Sequence, residues 1–142
     1  MSTEQINTEP IPPVDPYDCF LQLLVNMANN YGFEFGITLQ VSGFLVSGVL
    51  IGHKAYFEAF AEDFSSAFPV EDAEKSHVRS TFAKIGETDK NEDNNEPPLW
   101  QYIHLKDTRF FNTSGNPIPK DKGVLWRGRI SEIGGFTLGS LT

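Results

Sequence analysis

The amino-acid sequence predicts an α+β fold with an N-terminal helix, about five antiparallel strands in one strongly bent sheet, and helices inserted after the second strand. Three observations support this prediction. Residues 33–41 alternate between apolar and polar side chains, which is typical of a half-buried strand. Residues 44–51 form an apolar run of strand length, and residues 53–68 repeat phenylalanine at helical spacing.

The chain has 142 residues, which is close to the usual size of one domain. Residues 1–14 contain three prolines and few large apolar side chains, and they show no periodicity. This composition predicts a flexible arm. We therefore expect the arm to be followed by a single α+β domain that spans residues 15–142.

The first helix is predicted to begin at Asp15, whose side chain can cap free backbone N–H groups. Pro16 suits the first helical turn, and Gly32 is a natural stop. The apolar residues at positions i, i+4 and i+7 form the stripe that we expect to face the core: Phe20, Leu24 and Met27.

The next segment predicts a β-hairpin. The alternating residues 33–41 are followed by Ser42 and Gly43, which suit a two-residue turn. Residues 44–51 then return as a second strand that is apolar on both faces. A strand with two apolar faces is expected to lie in the middle of the sheet.

A second helix is predicted over residues 53–68. Its four phenylalanines are spaced 3, 4 and 4 residues apart and so share one face: Phe57, Phe60, Phe64 and Phe68. Such a stripe predicts a core-facing helix, and a docking helix for a partner is the alternative.

A third helix is predicted over residues 70–85, with Val78, Phe82 and Ile85 on one face. Residues 86–98 are polar and acidic and end in two prolines, so we expect a loop.

The C-terminal part predicts three further strands. Residues 99–105 form one strand, and residues 108–111 either extend it or begin its partner. Residues 123–130 and 136–141 are predicted to form a terminal hairpin around the turn at 131–135. The order of elements also resembles the opening of a small Sm-like or SH3-like barrel, which leaves closure of the sheet open.

Strand alternation separates the tryptophan of the terminal strand from its two arginines. Trp126 shares one face with Val124 and Ile130, whereas Arg127 and Arg129 point to the other face. We therefore expect Trp126 to anchor the sheet and the arginines to be available for contacts.

Charge is distributed unevenly along a chain whose net charge is −8. Residues 1–96 carry 5 Lys/Arg against 16 Asp/Glu (net −11), and residues 97–142 carry 6 against 3 (net +3). Such asymmetry is ordinary surface solvation in many proteins. It also allows attraction between copies of the chain.

The sequence contains no recognisable catalytic motif, and we expect no enzymatic activity, cofactor or metal site. The three histidines, His53, His77 and His104, lack the spacing of metal ligands. Cys19 is the only cysteine and is expected to be a partly buried small residue. No apolar run approaches the length of a membrane span, so a cytoplasmic protein is expected.

Three blocks of the sequence resemble the gas vesicle accessory protein GvpU family: residues 31–60, 102–111 and 123–141. The stretches I-H-L-K (103–106) and W-R-G-R-I (126–130) are the most specific parts. The resemblance implies a cytosolic, non-enzymatic helper that acts on gas vesicles or their shell and influences their clustering. The implied partners are shell proteins or other gas vesicle proteins. The opposite charges of the two parts of the chain lead us to expect self-association as well, and we expect no membrane partner.

A physical route to such a function is contact through the basic C-terminal part together with exposed aromatic residues such as Trp100, Tyr102 or Phe111. The interaction candidates are Arg127, Arg129, Tyr102, His104, Lys106, Arg109 and Phe111. We expect His104 to have an exposed polar role.

The alternative is an Sm-like protein that binds single-stranded nucleic acid, with the same basic residues along one side of the sheet and Tyr102, Phe110 and Phe111 as stacking residues. The net charge of −8 opposes this alternative.

Overall fold

The computed structural model describes residues 18–67, 71–87 and 99–141. These residues form three helices and six strands, so the α+β prediction is confirmed, with one strand more than expected. The helices are α1 (Cys19–Tyr31), α2 (His53–Ser66) and α3 (Asp72–Ile85). The strands are β1 (Phe35–Val41), β2 (Phe44–Ile51), β3 (Tyr102–Phe111), β4 (Pro117–Ile118), β5 (Val124–Arg129) and β6 (Ile133–Leu138). The predicted arm and most of the predicted acidic loop lie outside the described residues.

The β1–β2 hairpin forms as predicted. Its two central turn residues, Ser42 and Gly43, both have positive φ, as the twist of a tight hairpin requires. The strands pair from Phe35 opposite Leu50 to Val41 opposite Phe44. Because β2 also pairs with β3, it occupies the interior position that its two apolar faces predict.

Helix α1 begins later than predicted and buries a different face. The side chain of Asp18 caps it by accepting from the N–H of Phe20 at 2.8 Å, and Gly32 ends it in the left-handed conformation, as expected. The buried residues are Leu21, Val25 and Ala28. The buried stripe is therefore shifted by one residue from the predicted stripe, because two apolar stripes lie side by side on this helix. Asp15 and Pro16 lie outside the described residues.

The sheet is antiparallel and open. Its strands follow the order β4-β3-β2-β1-β6, and β5 pairs with β3 beside β4. Strand β3 is one continuous ten-residue strand, so residues 108–111 extend it rather than begin its partner.

The predicted terminal hairpin is wrong, because β5 and β6 do not pair with each other. A 3-10 turn at Ile130–Glu132 redirects the chain, so that β5 lies against β3 and β6 crosses to the far edge beside β1. Ile130 is fully buried at this turn, and its N–H donates to the carbonyl of Gln101 at 2.9 Å. Barrel closure does not occur, since no ladder joins β5 to β6 among the described strands.

One hydrophobic core lies between α1 and the sheet. The buried residues of α1 pack there with Ile37 and Leu39 of β1 and with Ile103 and Leu105 of β3. Trp126 packs against this core, as its predicted face requires. Trp100 is tied to α1, because its indole N–H donates to the Oδ1 atom of Asn26 at 3.2 Å.

Helices α2 and α3 form an antiparallel pair that is held by aromatic contacts rather than by the main core. Phe60 and Phe64 of α2 lie 5.3 Å and 5.0 Å from the ring of Phe82 on α3. Arg79 of α3 forms a 2.9 Å ion pair with Glu62 of α2. Phe60 and Phe64 of the predicted stripe therefore make a helix–helix contact instead of a core-facing one. Phe68 lies outside the described residues.

Candidate interaction surface

A β-bulge brings the predicted contact residues of β3 onto one face of the sheet. In a regular strand, Arg109 and Phe111 would point away from Tyr102, His104 and Lys106. Asp107 instead adopts a φ of 50°, and the pairing register of β3 shifts there against both β2 and β5. All five side chains therefore lie on the face opposite the main core.

Strand β5 adds its two arginines to the same face. Its register places Arg127 opposite His104 and Arg129 opposite Tyr102. Directly opposite residues in an antiparallel pair share a face, so the two arginines and the β3 residues form one surface. We call this surface the outer face: Tyr102, His104, Lys106, Arg109, Phe111, Arg127 and Arg129.

Arg127 is the centre of a cluster on the outer face. Its Nε–H donates to His104 Nε2 at 3.2 Å, and its guanidinium carbon lies 3.6 Å from the centroid of the Tyr102 ring. The ring of Phe57, on α2, is 5.8 Å from the same carbon. A guanidinium at these distances gains cation–π attraction from both rings. Arg127 therefore joins β5, β3 and α2.

His104 lies underneath this cluster and is buried, with 4% of its surface exposed. Its ring is 4.6 Å from the ring of Tyr56 on α2. The expectation of an exposed polar role is wrong, because α2 covers this part of the strand. Burial, followed by the charge of Arg127 and then by His53, lowers the pKa of His104 from 6.5 to about 3. Since Nε2 accepts from Arg127, the neutral ring carries its proton on Nδ1.

Burial also raises the pKa of Tyr56, and the charge of Arg127 partly offsets this effect. The phenol and the imidazole are therefore both held in their neutral forms around one arginine. This arrangement suits a structural joint between α2 and the sheet, and sequence reasoning missed Tyr56 and Phe57 because their contact with the outer face is long-range.

Two further cations of the outer face already have partners. Lys106 forms a 2.7 Å ion pair with Glu34, which lies just before β1. Arg109 donates to the backbone carbonyl of Asp121 at 3.3 Å. Arg127 and Arg129 are both exposed, and Arg129 takes part in none of the contacts described above.

The expectation of exposed aromatic contact residues is wrong for two of its three examples. Phe111 is 6% exposed and Trp100 is 8% exposed, so neither offers its ring to a partner. Tyr102 is half-buried, and one side of its ring is covered by Arg127.

A cleft of about 390 Å³ lies beside the bulge. Arg109 and Lys122 contribute the cations of its lining, and Asp107 and Asp121 contribute the carboxylates. The mixed charges favour no single class of ligand.

Within residues 18–67, 71–87 and 99–141, no group of three or more His, Cys, Asp or Glu side chains is placed to hold a metal ion. Over the same described ranges, we find no helix with the length and apolar character needed to cross a bilayer.

Together, the fold and the outer face define a small α+β protein in which a helical pair is joined to one side of an open antiparallel sheet. Residues 18–141 match the family model described as gas vesicle protein GvpU-like. The chain therefore belongs to the GvpU-like family and is a gas vesicle-related protein. The match includes α1, which precedes the three blocks that carry the sequence resemblance. No curated protein and no solved structure matches the chain.

Proposed function

We propose that the chain is a non-enzymatic, cytoplasmic accessory protein that associates with gas vesicles and influences their clustering through self-association. Its partners are the vesicle shell, other gas vesicle proteins and further copies of the chain. The observation that carries the proposal is the family match over residues 18–141.

The charge distribution supports a salt-dependent contact. The acidic part of the chain, residues 1–96, and the basic part, residues 97–142, carry opposite net charges, which favours attraction between two copies. Among the cations of the outer face, Arg127 and Arg129 are both exposed, but Arg127, like Lys106 and Arg109, makes contacts within the fold. We therefore assign the contact with acidic partners chiefly to Arg129.

We do not favour the nucleic-acid alternative. A single strand needs aromatic faces on which its bases can stack. Phe111 is buried, Phe110 packs against the main core, and Arg127 covers Tyr102.

Replacement of Arg129 by glutamate is expected to weaken association with purified gas vesicles about fivefold, since one surface charge contact contributes about 1 kcal/mol. The measurement is flotation of the protein with intact vesicles over a salt series, with light scattering to follow clustering. The matched control is Lys54→Glu, which makes the same charge change at an exposed site on α2.

The proposal would be overturned if the wild-type chain were absent from the vesicle fraction at every salt concentration in the series. Equal losses in Arg129→Glu and Lys54→Glu, or binding that does not respond to salt, would overturn the assignment to Arg129. Fluorescence anisotropy with a labelled oligonucleotide tests the nucleic-acid alternative, because tight, salt-sensitive binding of the oligonucleotide would favour that function.

A further inference from the structure

The outer edge of β6 has unpaired backbone groups within the described part of the chain. Strand β6 is the last in the sheet order and pairs only with β1 there. The N–H of Gly139 donates to the carbonyl of Gly36 at 2.8 Å, which fixes the direction of the backbone groups. Because these directions alternate along a strand, the N–H and C=O groups of Phe136 and Leu138 point away from β1.

The side chains of β6 lack the features that normally protect a sheet edge. Proteins place lysines, prolines or other charges on edge strands to prevent pairing with a second chain. Residues 133–138 contain no charged residue and no proline. Strand β5, the edge strand beside β3, carries Arg127 and Arg129. The two edges therefore differ, and only β5 carries protecting charges.

Exposed apolar side chains lie along the same edge. Phe20 of α1 is 60% exposed and stacks on Phe136 with 5.4 Å between the ring centroids. Leu138 is 67% exposed, and Leu23 lies one helical turn after Phe20 and is also exposed. We call these residues the β6 edge patch: Phe20, Leu23, Phe136 and Leu138. Apolar side chains grouped beside unpaired strand backbone indicate an interaction site.

We propose that a second copy of the chain occupies this edge, with the two β6 strands pairing antiparallel about a two-fold axis. The pairing joins two six-stranded sheets into one continuous sheet. The inference deepens the self-association within the proposed function, on which it rests.

The register of β6 explains why a second copy suits this edge. Phe136 lies opposite Leu39 and Leu138 lies opposite Ile37, and both β1 residues face the main core under α1. An antiparallel pair of identical strands can keep the apolar side chains of both copies on that same face. The edge patches of the two copies then cover each other. The chain has a net charge of −8, but residues 133–138 carry no charge, so pairing of two β6 strands places no like charges opposite each other.

Replacement of Leu138 by lysine is expected to weaken the dimer at least tenfold, because it places two ammonium groups at an apolar junction. The measurement is sedimentation velocity of the full chain over a concentration series. It is carried out in about 0.5 M salt, where the Debye length falls to about 4 Å and contacts between exposed charges are suppressed. The wild-type chain should be dimeric under these conditions.

The matched control is Val124→Lys, which makes the same change at an exposed position on β5. This variant should dimerise like the wild type. Equal losses in both variants would indicate head-to-tail pairing of β5 with β6 and would overturn the two-fold arrangement. A monomeric wild type, or an undiminished dimer in Leu138→Lys, would overturn the inference entirely.

Amide hydrogen exchange provides a second readout that does not depend on a variant. The N–H groups of Phe136 and Leu138 should exchange more slowly as the protein concentration rises, and exchange that is independent of concentration would contradict edge pairing. Flotation with vesicles distinguishes a failure of the edge pairing from a failure of the proposed function. A dimeric chain that fails to bind vesicles refutes the proposed function and leaves the edge pairing intact. A chain that is monomeric in about 0.5 M salt, yet binds and clusters vesicles at low salt, refutes the edge pairing and leaves the proposed function intact.

Discussion

Acidification from pH 7 to pH 4 is expected to lower the free energy of unfolding by about 3 kcal/mol more in the wild type than in a His104→Gln variant. His104 is buried beneath Arg127, and the folded protein holds its pKa at about 3 rather than at the ordinary 6.5. The folded state therefore favours the neutral imidazole, whereas the unfolded chain takes up the proton readily.

The sign of the effect follows from these two pKa values. Above pH 6.5 the histidine is neutral in both states, so the stabilisation is fully present. As the pH falls from 6.5 towards 3, the unfolded state binds a proton that the folded state does not, and stability is lost. Glutamine offers a carbonyl oxygen to Arg127 Nε and does not titrate, so this loss is absent from the variant.

The measurement is urea denaturation at several pH values, followed by tryptophan fluorescence. Carboxylates contribute their own pH dependence, and they do so equally in both proteins, so the difference between the two curves isolates His104. The matched control is His77→Gln, at an exposed position on α3, which should follow the wild-type curve. Parallel curves for the wild type and His104→Gln would show that His104 is not held neutral.

The sequence predicted best those elements that local chemistry determines. The β1–β2 hairpin follows from alternation and from the turn residues Ser42 and Gly43, all within a span of 17 residues. Gly32 ends α1 for an equally local reason, because glycine adopts the left-handed cap at little cost. Local spacing does not distinguish the two apolar faces of α1, since the buried residues Leu21, Val25 and Ala28 repeat at the same helical spacing as the predicted stripe.

Contacts between segments that are distant in sequence explain why the prediction of a terminal hairpin is wrong. The terminal hairpin was inferred from two strand-like runs and a short connection, but β5 and β6 each pair with a strand far away in the sequence. Ile130 is buried in the connection, and the 3-10 turn that begins there directs the chain towards the edge beside β1. Nothing within residues 123–141 distinguishes this outcome from a hairpin.

The candidate site was predicted in part. Alternation correctly separated Trp126 from Arg127, because the side-chain period of a strand is two. The bulge was not foreseen, since Asp107 gives no stronger signal than its tolerance of positive φ. Without the bulge, Arg109 and Phe111 would face the core side. The burial of His104 depends on Tyr56, 48 positions earlier, and so was beyond a local reading.

Replacement of Gly128 by alanine is expected to lower the free energy of unfolding by about 3 kcal/mol, through overpacking and displacement of the Trp126 ring. A Cβ atom at position 128 would lie 2.2 Å from Cη2 and 2.5 Å from Cζ2 of Trp126, far inside van der Waals contact. The backbone of Gly128 is fixed by its pairing with Ile103, so the indole must move away from the core.

Urea denaturation of two further proteins tests this explanation. Gly134→Ala on β6 is the matched control, because its Cβ would lie 3.8 Å from the nearest atom, the carbonyl oxygen of Gln40, and we expect little change in stability. In a Trp126→Leu background the smaller side chain leaves room for the methyl group, so Gly128→Ala should cost less than about 1 kcal/mol. An undiminished cost in that background would show that the indole is not what requires glycine at position 128, and the anchoring role of Trp126 on β5 would then fail.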